Sequence, residues 1–510
     1  MKISIFIAFA TLIGFNLQAQ VANAPLGYYN DAILFSRTSI GMGSTARVQG
    51  IGGAQVSLGG DMSIIASNPA GLGFFNKSVF SFTPALDFNE STSQYLGNTT
   101  SSFANGFNFA NIGGVFYYGN GDYVNSKFKG GSLGVSINRT NNFKNDINYQ
   151  GVNSQNSIID SYINSAGTTH PDNLGGYALG AYENYLIDPL VDGNGPLVGY
   201  GSLVLGNPRQ TEIIETSGSQ YQINVAYGAN YNDFIYFGAG LGIATVNYSR
   251  RRTFTEDSYV YTDDQGNQVV DDFINFTELN DELNIEGAGV NANFGLIVRP
   301  MPYLTIGVSY VTPTYYALSD DSGFDQFSSW NGVELISGGD TTIINDREFL
   351  SDISTSNYSL RTPGRLNLGA TFFLGKIGFI TGDVEFVDYT SSQLKSSDFE
   401  VFADNEQINS LYTSVINYRT GIEFRIKQLR LRGGYAYHAD PYENSTIDLS
   451  RRDVSVGAGF RNQDFFLDLT IVNRSTQSLY TPYFMDNGTE PVAEIDNNSN
   501  SVVLTLGFNF

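Results

Sequence analysis

The sequence lacks several features on which soluble enzymes and disulfide-bonded domains depend. It contains no cysteine and only two histidines in 510 residues, which excludes disulfides, thiolate metal sites and a lipoprotein anchor. Charged residues make up only 15% of the chain and the net charge is −23. A nucleic-acid partner, which needs a basic surface, is therefore excluded as well. No segment has the ligand order of a calcium loop, so we predict neither a bound metal nor a cofactor.

Long hydrophobic runs are also absent, because Gly, Asn, Ser and charged residues interrupt the apolar stretches of the chain. A transmembrane helix needs about 20 apolar residues. The apolar run Ile3 to Phe15 is shorter, and it lies between Lys2 and the small residue Ala19. This order predicts a secretory signal peptide over residues 1–19. An uncleaved membrane anchor is the alternative, and the length of the run argues against it.

Glycine and aromatic residues are abundant, with 56 Gly, 37 Phe and 32 Tyr, a composition that suits β-strands and tight bends rather than helices. In the C-terminal segment Val502 to Phe510 every second residue is apolar, and the last one is a phenylalanine. A strand of this kind has one apolar face. It fits the closing strand of a barrel in lipid, although a half-buried strand of a β-sandwich has the same pattern.

A scan for alternating segments of roughly ten residues gives about fourteen strands. The connections between them alternate between short ones, such as Asn232-Asp233 and Lys427-Gln428, and long ones, such as Thr140 to Ser217, Arg251 to Asn284 and Thr314 to Asn357. Outer-membrane barrels have short periplasmic turns and long extracellular loops, whereas a sandwich has no reason to sort its loops. The sequence therefore predicts an all-β transmembrane barrel of about 14 antiparallel strands. We expect it in the outer membrane of a Gram-negative bacterium, as a monomer in contact with lipid and lipopolysaccharide.

Residues 20–77 lie between the signal peptide and the first strand and are not needed for the strand count. We predict that they form an N-terminal plug, or hatch, in the lumen of a barrel made by residues 78–510. In the C-terminal half, the alternation turns charged side chains of both signs toward the lumen. The predicted inward arginines are Arg365, Arg419, Arg425, Arg430 and Arg432, and the inward acids include Asp383, Glu385 and Asp468. They form either a structural ion-pair lattice or a site where arginines bind an anionic head group.

Three motifs resemble those of the FadL/TodX family of outer-membrane transporters for long-chain fatty acids and other hydrophobic compounds. The predicted plug contains Asn68-Pro69-Ala70, which is similar to a motif in the hatch of that family. Pro363 to Gly369 resembles its Pro-x-x-x-x-Leu-Gly strand, and Asp383 to Tyr389 resembles its Asp-Val-Glu-aromatic-x-Asp-aromatic strand. The motifs occur in family order, and the resemblance spans nearly the whole mature chain.

The resemblance implies passive uptake of long-chain fatty acids or other hydrophobic small molecules. In that family, extracellular loops capture the ligand, a lumen pocket above the hatch binds it, and a kinked strand opens a lateral exit to the bilayer. We assign capture to the apolar part of the loop Thr140 to Ser217, with packing of that loop on itself as the alternative. The candidate capture residues are Leu190, Val191, Leu197, Val198, Leu203 and Leu205. Some relatives look like secretion-system subunits, so a scaffold or shuttle with a secretion-system partner is the alternative function.

An enzyme is the third class of function considered. The Gly-x-Ser-x-Gly match around Ser132, Gly130 to Gly134, opens a predicted strand, whereas a nucleophile elbow needs a strand-to-helix turn. Only two histidines are available as bases. We therefore predict that the chain is not an enzyme.

Overall fold

The computed structural model describes residues 27–37, 42–119, 126–192, 195–263, 265–337 and 340–510. The predicted signal peptide, residues 1–19, lies outside the described residues. In the part of the chain that is described, fourteen antiparallel strands close into a barrel. Each strand pairs with its neighbours in chain order, which is the simplest way to build a barrel from hairpins.

The barrel closes where its first strand pairs with its last. At this seam Ser78 and Phe510 exchange two backbone hydrogen bonds of 3.1 and 2.9 Å. The closure confirms the predicted fold. The fourteen strands are Val79–Tyr95, Asn98–Gly119, Phe128–Asn142, Asn207–Tyr231, Ile235–Thr262, Ile274–Met301, Leu304–Val311 with Tyr315–Trp330, Arg347–Leu350 with Ser354–Arg361 and Arg365–Phe373, Gly378–Asp388 with Gln393–Lys395, Ser414–Ile426, Leu429–His438, Arg451–Arg461, Phe465–Tyr480 and Ala493–Asn509.

An apolar belt surrounds the outside of the barrel. It lies at the end of the barrel where short turns connect the strands. On the tenth strand, Ile416 and Tyr418 are exposed whereas Asn417 and Arg419 are buried, as the alternation in the sequence predicts. The closing strand likewise exposes Phe508. An outer surface of this kind is stable in lipid rather than in water, so the barrel spans a membrane with its short turns in the periplasm.

The sequence predicts several segments as loops. In the structure these segments are continuations of the barrel wall. The fifth and sixth strands stay paired along their length, from Ile235 opposite Val298 to Asp257 opposite Phe276. The predicted loop Arg251 to Asn284 is therefore largely a two-stranded extension. In the predicted loop 314–357, residues 315–330 belong to the seventh strand, and part of the eighth strand follows them. These extensions carry the wall well beyond the belt on the extracellular side.

Three neighbouring strands are interrupted at the same height near the extracellular border of the belt. The seventh strand is interrupted at residues 312–314, the eighth at residues 362–364 and the ninth by the 3-10 turn Tyr389–Ser391. Pro313 and Pro363 occupy the first two interruptions and have no N–H group to donate to a ladder. We call residues 312–314 and 362–364 the strand break.

The helices lie in the lumen and at the extracellular mouth. Among the described residues, no helix is long and apolar enough to cross a membrane. The helices are α1 (Tyr29–Ser36), α2 (Ala46–Gln49), α3 (Ile64–Ser67), α4 (Ile158–Ala166), α5 (Gly176–Glu183) and α6 (Phe402–Leu411), with further 3-10 turns at Pro69–Phe74 and Pro171–Asn173. The remaining short strands are Asn145–Val152, Asp188–Val191, Leu197–Gly201, Gln268–Val270, Val333–Ser337 and Asp340–Ile344.

Candidate functional site

The segment from residue 42 to residue 76, here called the plug, lies in the lumen at the height of the belt. Its two short helices and its 3-10 turn are almost entirely buried. Side chains of the wall bind its backbone. Thr505 accepts a hydrogen bond from the Ala46 N–H at 2.7 Å, and Asn293 donates one to the Ile65 carbonyl at 2.9 Å. These contacts satisfy backbone groups that are shielded from water and hold the plug against the wall.

The Asn68-Pro69-Ala70 motif of the plug rests on a row of three glycines in the wall. Gly228, Gly238 and Gly295 are ladder partners on the fourth, fifth and sixth strands. A Cβ atom at Gly228 or Gly238 would overlap the backbone of Pro69, and one at Gly295 would overlap the Asn68 side chain. Asn68 also donates to the Val56 carbonyl at 2.6 Å and accepts from the Ala70 N–H at 3.2 Å. The motif can approach the wall this closely because all three positions lack a side chain.

A buried ion-pair lattice joins the plug to the C-terminal half of the wall. Glu423 lies 2.8 Å from Arg432, 2.8 Å from Arg425 and 3.5 Å from Arg47 of α2. Arg432 also contacts Asp468 at 2.6 Å. Of the predicted head-group ligands, Arg432 is thus engaged by two carboxylates. Charges buried in this way need such partners.

Arg419 and Arg365 lie farther along the lumen, on the extracellular side. Arg419 donates to Asn367 at 2.5 Å and lies 3.5 Å from Glu385. Arg365 donates to the carbonyl of Ser36 at the C-terminal end of α1. Both predicted head-group residues therefore bind groups of the protein.

Arg425 and Arg430 lie at the periplasmic mouth, on the opposite side of the plug. Arg430 donates to the carbonyls of Lys427 and Leu429 in its own turn, at 2.6 and 2.9 Å. The predicted role of Arg425 and Arg430 in binding a head group stays a prediction, but they lie at a different height in the barrel from Arg365 and Arg419. Alternation gives the face of a strand on which a residue lies, but not its height along the barrel.

A cavity of about 720 Å³ lies in the lumen on the extracellular side of the plug. It lies between α1, the extended walls and the beginning of α5. Its size is that of a site for a small organic ligand. The apolar side chains that line it include Ile33, Leu34, Phe143, Tyr248, Leu283, Ile285 and Phe324.

Three arginines that are not among the five predicted head-group residues also line this cavity: Arg37, Arg250 and Arg451. Arg250 lies 3.3 Å from Asp281. Arg451 pairs with Asp453 at 3.0 Å. Arg37 donates to the Leu449 carbonyl at 2.7 Å, and among the described residues no carboxylate lies within 4.0 Å of it. Burial lowers the pKa of Arg37, and the neighbouring charge of Arg451 adds to this effect. No alternating pattern marks the segment that contains Arg37, so the sequence offers no signal for it.

The loop with the predicted capture residues folds into the extracellular mouth of the barrel. Leu197 and Leu203 are half-buried against a cluster that contains Phe254 and Trp330. None of the six predicted capture residues is among those that line the cavity, and the stretch 153–206 that contains them contributes Gly176 and Tyr177. The other four predicted capture residues, Leu190, Val191, Val198 and Leu205, are 50–58% exposed.

Glu256 of the fifth strand joins this loop to the wall, beyond the membrane. It accepts hydrogen bonds from the Ile158 N–H at 2.8 Å and from Gln210 at 2.7 Å. The hydroxyl groups of Ser157 and Tyr259 also donate to it. Burial raises the pKa of Glu256 to about 7. The carboxyl group therefore binds the N-terminal end of α4 and titrates near neutral pH.

Ser132, at the centre of the Gly-x-Ser-x-Gly match, lies inside the third strand and is fully buried. Its neighbours on both sides are extended residues of the same strand. The strand-to-helix turn that exposes a nucleophile is therefore missing at this position.

Solved structures with this fold include a crystal structure of a Pseudomonas aeruginosa FadL homologue. It matches with a TM-score of 0.55 and 13% identity, covering 92% of this chain and 98% of its own. The P. putida toluene transporter TodX matches with a TM-score of 0.50 and 12% identity, covering 92% and 99%. No protein-family model and no curated protein matches the chain. The expected FadL/TodX-like architecture is confirmed at the level of the fold, and the closed barrel with its apolar belt is an outer-membrane protein.

Proposed function

We propose that the protein is a passive outer-membrane channel for the uptake of hydrophobic small molecules. The cavity of about 720 Å³ carries this proposal, because apolar side chains form a large part of its mixed lining and it lies between the plug and the extracellular mouth. TodX, which has the same fold, is described as a toluene transporter, and this supports the same class of cargo. Transport, rather than catalysis, is the activity that such a cavity inside a closed barrel supports.

The ligand that suits the cavity best is a long-chain fatty acid or another amphipathic molecule with an anionic head group. Arg37 and Arg451 bring two guanidinium groups to its lining. Guanidinium groups bind carboxylates through parallel hydrogen bonds. The apolar side chains of Leu34, Leu283 and Phe324 would contact the hydrocarbon tail. In this proposal the anionic head group binds Arg37 and Arg451 rather than the five arginines that the alternation predicts.

The strand break is the lateral exit in this proposal. Only a few hydrogen bonds join its two sides, including those between Thr314 and Thr362 at 3.0 and 3.1 Å. Arg365 pairs with Val311 beside the break and binds the C-terminal end of α1. Because α1 also lines the cavity, its displacement by a ligand would connect the cavity with the break. The exposed side chains of Leu190, Val191, Val198 and Leu205 would make the first contact with the ligand.

Mass spectrometry of small molecules extracted from the detergent-purified protein tests the cavity. We expect a stoichiometric fatty acid or similar amphipathic molecule in the wild type and its loss in Arg37→Gln with Arg451→Gln. Arg425→Gln with Arg430→Gln is the matched control, because it removes the same charge at the periplasmic mouth. Equal ligand content in all three proteins would contradict the assignment of the head-group site.

A disulfide across the strand break tests the exit. The chain has no native cysteine, so Thr314→Cys with Thr362→Cys introduces a single pair at opposed positions. We expect the oxidised variant to bind ligand but to lose uptake into cells, and reduction to restore uptake. A disulfide between Thr420→Cys and Tyr435→Cys, which are opposed on the tenth and eleventh strands, is the control. Normal uptake by the oxidised break variant would exclude this exit.

The alternative is that the barrel acts as a scaffold or shuttle in a secretion system. The observation that favours it is the exposure of Leu190, Val191, Val198 and Leu205, a patch that suits a protein partner as well as a ligand. An empty cavity in the purified protein, together with a partner that is lost when these four residues are changed to Ser, would favour the scaffold over transport.

A further inference from the structure

Three arginines lie side by side at the periplasmic mouth of the barrel. Arg425 on the tenth strand is directly opposite Arg430 on the eleventh. Arg461 on the twelfth strand lies two residues beyond Gly459, the ladder partner of Arg430. Directly opposed side chains have Cβ atoms about 5 Å apart and diagonal ones about 7–8 Å apart, and like charges at such distances destabilise a sheet. The row therefore concentrates positive charge.

Direct contacts with carboxylates do not match every charge in this row. Glu423 lies 2.8 Å from Arg425, but the same carboxylate also serves Arg432 at 2.8 Å and Arg47 at 3.5 Å. Among the described residues, no carboxylate lies within 4.0 Å of Arg430 or Arg461. Arg430 donates to backbone carbonyls of its own turn. The row thus has more guanidinium groups than Glu423, the carboxylate in direct contact with it, can bind.

Arg461 is held in place without an acid. Its guanidinium carbon lies 4.5 Å from the centre of the Phe466 ring, a cation–π contact that fixes the position of the charge but does not cancel it. The edge of a guanidinium group stacked in this way keeps N–H donors for another ligand. Arg461 therefore keeps its charge and N–H donors near Arg430.

The row borders the membrane surface that faces the periplasm. Lys427, in the turn between Arg425 and Arg430, is exposed. The side chains that flank this turn, Ile426 and Leu429, are 57% and 54% exposed on the outer face of the barrel. Basic groups next to exposed apolar groups at this height suit a lipid whose head group carries a phosphate.

We propose that Arg425, Arg430 and Arg461, together with Lys427, form a binding site for a phosphate group. The phosphate belongs to the head group of an inner-leaflet phospholipid or is free phosphate, and both present the oxygen atoms that guanidinium forks bind. The site lies on the opposite side of the plug from the cavity. It is therefore independent of the proposed uptake of a hydrophobic ligand.

The test compares the full-length wild type with Arg430→Gln plus Arg461→Gln. Arg299→Gln plus Lys376→Gln is the matched control, because it removes the same charge from two other periplasmic turns. Arg299 resembles Arg430 in donating to a backbone carbonyl, that of Pro302 at 2.9 Å. Native mass spectrometry in detergent measures binding of phosphatidylglycerol, and calorimetry measures binding of inorganic phosphate. Changing Arg430 relieves a repulsion, so we expect the variant to fold, which circular dichroism will check.

We expect the wild type and the control to bind the phosphate ligand and the Arg430/Arg461 variant to bind it at least about tenfold more weakly. Loss of phosphatidylglycerol binding alone identifies the head group as the ligand, and loss of inorganic phosphate binding alone identifies free phosphate. Equal binding by the wild type and this variant would overturn the proposal. An equal loss in the control would also overturn it, because the effect would then be one of overall charge. A periplasmic protein captured through the row, with no phosphate binding, would overturn it as well.

Discussion

At the scale of single residues, the glycine row predicts a steep dependence on side-chain volume. In Gly238→Val, the added Cβ would lie 2.5–2.7 Å from backbone atoms of Pro69 and Ala70, so the plug has to move. We expect a loss of about 1–3 kcal/mol in the free energy of unfolding and faster proteolysis within residues 42–76. Gly433→Val is the control, because a Cβ there meets nothing closer than 3.8 Å. Equal stability of the two variants would show that the plug does not depend on this contact.

Asp383 is a second residue on which the plug depends. Its Oδ2 accepts hydrogen bonds from the Gln55 and Val56 N–H groups at 2.7 and 3.0 Å. Asp383→Ala leaves both buried donors without this partner, and we expect a loss of about 1–3 kcal/mol in the free energy of unfolding. Asp383→Asn keeps an acceptor of the same shape and is expected to lose less. Thermal and denaturant unfolding of the two variants measures the difference, and an alanine variant as stable as the asparagine variant contradicts this role.

The alternation in the sequence identified Asp383, Glu385 and Asp468 as inward residues, and the structure buries all three in the lumen. It did so because a period of two residues is sufficient to assign a face. The same period contains no information about height along the barrel, so it does not separate Arg425 and Arg430 at the periplasmic mouth from Arg365 and Arg419 on the extracellular side. The segment that carries Arg37 has no two-residue period at all. The candidate head-group site could therefore not be predicted.

At the scale of strands and loops, the sequence predicts where strands begin in the belt but not where they end beyond it. On the sixth strand, Val290 and Phe294 face lipid, whereas the outward positions farther out are Glu282, Asn284 and Glu286. Once the wall leaves the membrane its outer face is polar, so apolar alternation disappears although the ladder continues. Extended walls therefore resemble long loops in the sequence.

The loop that Glu256 binds is expected to respond to pH. The pKa of Glu256 is about 7 with the loop in place and about 4.5 in its ordinary environment. Between these pH values Glu256 is protonated when the loop is docked and ionised when the loop is undocked. The free energy of docking is therefore most favourable below pH 4.5 and becomes less favourable as the pH rises to 7. The opening constant should rise up to about tenfold per pH unit in this window and level off above it.

Hydrogen exchange of the α4 amides, corrected for the intrinsic effect of pH, measures this opening. In Glu256→Gln the side chain carries no titrating proton, so the rise with pH should disappear. Glu494→Gln, a change of an exposed acid in the last strand, is the control and should behave like the wild type. A wild-type opening constant that does not change between pH 5 and 7 would contradict the predicted linkage.

At the scale of the whole molecule, the plug separates two compartments that have different chemistry. The extracellular compartment holds the ligand-sized cavity, and the periplasmic mouth holds the arginine row. Composition and strand count are properties of the whole chain, so they predict the barrel. The contents of each compartment depend on contacts between the plug and distant strands, such as that between Ala46 and Thr505. These contacts follow from packing and leave no local pattern in the sequence.

Deletion of residues 42–76 is expected to convert the closed barrel into an open pore. The strand ladders and the seam between Ser78 and Phe510 do not involve the plug, so the barrel should still form. Its inward side chains, such as Asp383, Asn293 and Thr505, would then contact water, as in the lumen of a porin. We expect steady ion conductance in planar bilayers for this variant and none for the wild type. Deletion of residues 27–37 alone, which removes α1 and leaves the plug, is the control and should remain closed. A folded deletion variant that does not conduct ions would show that the extracellular loops, rather than the plug, seal the barrel.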